Sequence, residues 1–218
     1  MLLLYSIALG LLVGRLAGGR VRNLEHVTFT WWGLALIGLA VQVVLFAEPV
    51  AVWIGDLGAP LYVLSTLAVM AALLRNLDHR GLAIVAIGAA LNLLPILANG
   101  GTMPSAPEAW AALNGVAAVP TPHFSNSVLI GPETLFPWLG DIFVWPRPLP
   151  FANVFSIGDV VIAVGAVIFL ASAMRRPEGP PTTSGLVPAP RVPPAWEVRP
   201  ALGAAPGPRQ QRPAPGRP

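Results

Sequence analysis

The chain has 218 residues, no cysteine, and 13 basic residues that are all arginine against 10 acidic ones, for a net charge of +3. The lack of thiols excludes disulfides, thiolate metal sites and cysteine nucleophiles. With 55% hydrophobic and only 11% charged residues, the composition points to a bilayer, and membrane topology rather than a nucleic-acid partner accounts for the excess arginine.

A hydrocarbon layer about 30 Å thick takes about 17 to 25 helical residues to cross. Five apolar stretches approach that length: 1–17, 27–47, 57–74, 82–98 and 153–174. The expected fold is an all-α polytopic membrane domain, 1–174, of five transmembrane helices. Five buried helices of a soluble domain would need a charged face on each surface helix, and these stretches have none.

In the first stretch, Gly10, Gly14 and Gly18 recur every fourth residue and predict a face that lets another backbone approach, either within the bundle or in a second copy. No basic residue precedes that apolar run, and Arg15, Arg20 and Arg22 follow it, which argues against a cleaved signal peptide. Gln42 and Asn92 fall near membrane depth, where a hydrogen bond between helices contributes about 0.6 to 2 kcal/mol, so they are expected to join helices rather than bind a ligand. Pro95 removes one helical hydrogen bond and predicts a kink near the end of the fourth stretch.

Basic loops stay cytoplasmic. Arg15, Arg20 and Arg22 follow the first stretch, Arg75 and Arg80 follow the third, and seven arginines lie in 175–218, whereas the loops 48–56 and 99–152 hold Arg147 alone. This distribution predicts a multi-pass protein of the cell membrane with its N-terminus outside and its C-terminus in the cytoplasm.

The long outer loop opens with Asn99-Gly100-Gly101-Thr102-Met103-Pro104, a helix stop. Ser105, with Glu108 three residues on, reads as a capping box for a short helix over 106–113 that Asn114-Gly115 ends. Phe124, Phe136, Trp138, Phe143, Trp145 and Phe151 give the loop enough aromatic surface to fold back as a lid over the outer face. Ser156 is expected to cap the last helix, with Asp159 at its third position favoured by the helix dipole.

An acid at the centre of a span costs about 2.5 to 3.5 kcal/mol and usually marks function. Asn99, Asp141 and Asp159 therefore form the candidate polar site, for a cation or a polar headgroup, where the fourth and fifth stretches end. His123 has no partner at metal spacing. Neither a metal nor a cofactor is implied.

At Arg175 the composition changes. The 44 residues of 175–218 contain 13 prolines and one aromatic, Trp196, so that burial cannot offset the entropy of folding and a disordered cytoplasmic tail is expected. A polyproline II ligand around 188–194 is the functional alternative.

The Asn-Gly-Gly-x-Met-Pro run at 99–104, the Leu-Gly-Asp at 139–141, the Ser-x-Gly-Asp at 156–159 and the first basic loop, 14–24, resemble a family of bacterial integral membrane proteins known only as a domain of unknown function. The resemblance spans roughly residues 1–174. It implies a membrane location and supplies no activity, cofactor or catalytic residue.

No hydrolase, zinc-protease, Walker or dinucleotide motif is present. The leading expectation is a non-catalytic membrane scaffold or subunit, associating with a second copy or another membrane protein through its glycine-rich faces. The alternative is a small-solute or ion carrier, or a binding subunit, with the outer loop as its lid.

Overall fold

The computed structural model describes residues 2–115 and 125–175, all within the unit Met1–Glu178. The proline-rich stretch, Trp196, Phe124 and His123 lie outside the described residues. The apolar stretches form helices α1 (Leu2–Leu16), α2 (Trp32–Leu45), α4 (Gly58–Leu74), α5 (Leu82–Ala98) and α7 (Ile157–Met174), with short α3 (Glu48–Ile54) and α6 (Pro107–Asn114) between them. The fold is mostly helical. Among the described residues, Pro49–Leu74 and Ile157–Met174 are long and apolar enough to cross a membrane, while α1, α2 and α5 are apolar but shorter. Of the five expected spans, two therefore reach full length.

The shortening has local causes. Residues 27–31 are not helical, because the turn between α4 and α5 engages their backbone. Buried Asn76 accepts from the Thr30 N–H at 2.7 Å, donates to the Thr30 carbonyl at 2.7 Å and donates to the Ala72 carbonyl one helical turn back. His79 Nε2 meets the Thr28 carbonyl at 2.8 Å. The α2 helix starts only after Trp31 takes a left-handed conformation, φ 60°. At the other end, 153–155 form a strand, which delays α7 to Ile157.

The expected loop 48–56 is also mostly helical. Pro49 occupies the first turn of α3, where its missing N–H costs nothing, and a 3-10 turn over Gly55–Leu57 leads into α4. Pro95 lies inside α5, which continues to Ala98.

The helices follow the spatial order α1-α7-α5-α4-α2. At each of three helix contacts a glycine removes the side chain that would separate the backbones. Gly10 faces Val167 and Leu170, and Gly14 faces Ala171 and Met174, so both pack against α7 of the same chain. Gly18 does not join them. It lies beyond α1, at φ +80°, with no atom within 4 Å of a would-be Cβ, while the neighbouring Gly19 is the one pressed onto Met174. Gly88 lies against the backbone of Gly158 and Ile162, and Gly165 against Gly81 and Val85. Gly38 of α2 sits over Ser65 and Val69 of α4, beside a 3.1 Å hydrogen bond from Gln42 Nε2 to Thr66 Oγ1.

The described residues of 99–156 gather at one end of this row. Strand β1 (Met103–Ser105) pairs in parallel with β2 (Ser127–Leu129), and β3 (Phe143–Trp145) pairs antiparallel with β4 (Asn153–Phe155). The amino-acid pattern predicts no strands here. Phe143 stacks on Phe155 at 5.4 Å between ring centroids. Tyr5 ties α1 to this assembly, with its hydroxyl donating to the Pro150 carbonyl and its ring 5.0 Å from that of Trp145.

Candidate functional site

The third residue of α7 is held by an interlocking set of hydrogen bonds. Ser156 Oγ accepts from the Asp159 N–H at 3.1 Å, and Asp159 Oδ2 accepts from the Ser156 N–H at 3.0 Å, a reciprocal cap. Asn92 of α5 then locks the cap from outside. Its Nδ2 donates to Asp159 Oδ1 at 2.8 Å, and its Oδ1 accepts from Ser156 Oγ at 2.7 Å. Gly158 makes this approach possible, because a Cβ there would run into the Asn92 amide oxygen. Asn92 thus joins α5 to the start of α7 and belongs to the candidate site.

Asp141 arrives from the loop by a different device. Its N–H donates to the Pro104 carbonyl at 2.8 Å, and its carbonyl accepts from the Ala106 N–H at 3.0 Å, so the backbone at 141 is clipped along β1. Gly140 lets the chain lie that close, since any Cβ would strike the Pro104 carbonyl. The Leu-Gly-Asp motif is therefore a packing glycine followed by a carboxylate whose backbone is fixed.

Ser105 does not cap α6. The N-cap is Ala106, which offers no side-chain oxygen, and the Ser105 hydroxyl is fully buried, 2.6 Å from the Ser127 hydroxyl. The strand pairing of Met103–Ser105 explains the change, because it turns Ser105 toward β2. Glu108 stays in the first turn of α6, and Gly115 ends that helix in a left-handed conformation.

Asp141 and Asp159 open on one cavity of about 250 Å³. Tyr62, Asn92, Asn126 and Asn153 add polar groups to its wall, and Leu3, Ile96, Trp145 and Phe155 make apolar parts of it. Asn99 takes no part. Its amide donates to the carbonyls of Pro95 and Leu135 and accepts from the Leu135 N–H at 3.0 Å, fastening the start of the loop to its middle. Proximity to the helix ends groups Asn99 with the two acids in the sequence, and the same reasoning misses Tyr62, Asn126 and Trp145. The aromatic richness of the loop was the available signal for Trp145.

Burial pushes the Asp141 carboxyl up to about 7, the nearby Asp159 carboxylate adds to the rise, and the Ser105 hydroxyl partly opposes it. Among the described residues, no arginine, lysine or histidine lines the cavity. The indole N–H of Trp145 is buried with no acceptor among the described residues. Among the described residues no three His, Asp or Glu side chains gather as a metal site. The arrangement offers one rigidly held carboxylate and one that titrates near neutrality, beside aromatic and aliphatic walls. Such a site attracts positive charge.

No curated protein and no solved structure matches the chain. A family model described as a family of unknown function, DUF5317, matches residues 26–171, a span that holds the two acids and Asn92 and leaves out α1. The chain belongs to that family of unknown function.

Proposed function

We propose that the chain is a five-span membrane protein, N-terminus outside, whose outer cavity binds a small organic cation, and that it works as a carrier or a binding subunit. The observation that carries this reading is the sharing of one cavity by Asp141 and Asp159, with no basic residue among the described residues of its wall.

Two carboxylates in partly apolar surroundings are unfavourable without a proton or a cation to balance them. An ammonium group supplies that charge, and hydrocarbon attached to it gains from the walls. A bare metal ion gains nothing from Ile96 or Phe155, whereas an ammonium is attracted to aromatic faces as well. At about 30 Å³ per water, the volume corresponds to about eight waters, which sets the scale of the ligand.

Three features support the membrane reading. Arg15, Arg20, Arg22, Arg75, Arg80 and Arg175 lie where α1 and α4 end, where α5 begins and where α7 ends, while Arg147 lies in the long loop at the other end of the row. Large apolar side chains cover the exposed faces, among them Leu36, Ile37 and Val43 of α2. The helices α1, α2 and α5, of 15, 14 and 17 residues, extend about 21 to 26 Å at 1.5 Å per residue. Local bilayer thinning and flanking interfacial groups accommodate that deficit, and Trp31 and Trp32 stand exposed where α2 begins.

Against a scaffold that recruits partners through Gly10 and Gly14 stands the occupation of both glycines by α7.

The test is a thermal-shift titration of the detergent-purified full chain at pH 8. Butylammonium chloride should raise the melting temperature more than sodium chloride at equal ionic strength, and Asp141→Asn should remove the difference. Equal responses to the two salts in the unaltered protein would refute cation binding at this cavity.

A further inference from the structure

The opposite end of the helix row holds a second and larger cavity, about 620 Å³, between α1, α7 and the turn joining α4 to α5. Val13, Val167 and Ile168 supply apolar wall, and Arg80 and Arg175 stand at its edge. Both arginines are exposed, and neither side chain has an ion pair among the described residues. Among the described residues of this lining, two arginines stand against one aspartate, Asp78, a sum of +1 for these three groups.

The turn that carries Arg80 is anchored. Buried His79 contacts the Thr28 carbonyl and lies edge-on to Phe169 of α7, 5.9 Å between ring centroids, and Gly81 presses on the backbone of Gly165 and Phe169. Arg175 comes directly after α7. The two guanidinium groups are therefore carried on elements packed against one another.

A cationic edge beside an apolar wall, at the end of the row where the arginines collect, has the chemistry of an acidic phospholipid site. Guanidinium donors match phosphate oxygens, and the aliphatic side chains of α1 and α7 suit an acyl chain. We infer that this groove holds one anionic phospholipid of the inner leaflet, with Arg80 and Arg175 on its phosphodiester. The inference rests on the proposed membrane orientation and is independent of the outer cavity.

The probe is phosphatidylglycerol, counted by native mass spectrometry on the full chain after delipidation in detergent, with phosphatidylcholine as the neutral comparison. At about one kcal/mol per arginine near a charged headgroup, Arg80→Gln with Arg175→Gln should weaken phosphatidylglycerol binding roughly 10- to 30-fold. Arg147→Gln, at the other end, should leave it unchanged, as should millimolar inorganic phosphate added as a competitor.

Three results would each overturn the lipid site: equal retention of the two lipids, unchanged binding in the double variant, or displacement by inorganic phosphate. Residue accessibility on intact cells reports separately on whether this end faces the cytoplasm, so failure of the orientation and failure of the lipid site are distinguishable.

Discussion

At the residue scale, the chemistry of the site depends on two aspartates made unlike by their surroundings. Asp159 accepts from the Ser156 N–H and from Asn92, whereas half-buried Asp141, on the same cavity, has its carboxyl raised to about 7. That difference fixes the sign of the pH effect. An unfolded aspartate titrates near 3.8, so between about 4 and about 7 the folded chain binds more protons than the unfolded one, and stability falls as pH rises through that window. Asp141→Asn should flatten that slope, giving a higher melting temperature than the unaltered protein at pH 8 and a similar one at pH 4. If the cavity binds a cation as proposed, its affinity should run the other way, strengthening as Asp141 loses its proton.

Ser156→Ala tests the cap and the Asn92 contact together, and loss of about 0.5 to 2 kcal/mol in chemical unfolding is expected. Ser156 as a cap was legible because Ser and Asp three residues apart before an apolar run have few other uses. The role of Ser105 was not legible by the same rule, since the competing strand partner, Ser127, lies 22 positions away. Long-range pairing of three-residue strands leaves no periodic trace in a single sequence.

At the element scale, every apolar stretch became a helix, because hydrophobic length alone dictates that outcome. Their ends were less legible. Residues 27–31 carry no charge, like α2 itself, and only Asn76 and His79, polar groups in a turn that read as a plain cytoplasmic connection, reveal that the backbone there is engaged elsewhere. The glycine pattern was legible in α1, where the spacing is regular, and hidden in Gly38, Gly88 and Gly165, each of which matters through its partner helix.

Gly88→Ala places a methyl group 2.7 Å from the Gly158 carbonyl oxygen and the Ile162 nitrogen, both backbone atoms that cannot swing aside. Overpacking of this kind costs about 1 to 3 kcal/mol. Gly33→Ala in α2 meets nothing within 4 Å and should be neutral or stabilising by up to about 1 kcal/mol through helix propensity. Measured in one detergent, the melting temperature should fall for Gly88→Ala and should not fall for Gly33→Ala. A Gly88→Ala protein as stable as the parent would show that α5 and α7 are farther apart than described.

At the scale of the whole molecule, the arginine distribution was the most readable property of the chain, since guanidinium groups cross hydrocarbon only at high cost. The proposed orientation is testable because the chain has no cysteine of its own. Glu133→Cys, exposed in the long loop, should react with a membrane-impermeant maleimide on intact cells. Asp78→Cys, exposed in the turn after α4, should react only after permeabilisation. Labelling of position 78 on intact cells, with position 133 protected, would reverse the orientation and put the acidic cavity in the cytoplasm.

The spatial order α1-α7-α5-α4-α2 seats the first helix against the last. During synthesis α1 leaves the ribosome with Gly10 and Gly14 bare, and the residues that cover them, Val167 through Met174, emerge only when nearly the whole helical unit has been made. Until then α1 waits without its mate. Tyr5 has likewise no Pro150 to hold, and the wall formed by Leu2 and Leu3 is missing from the cavity. A nascent chain arrested before α7 therefore lacks Asp159 and the partner of α1, so the cavity is complete only once the first helix meets the last.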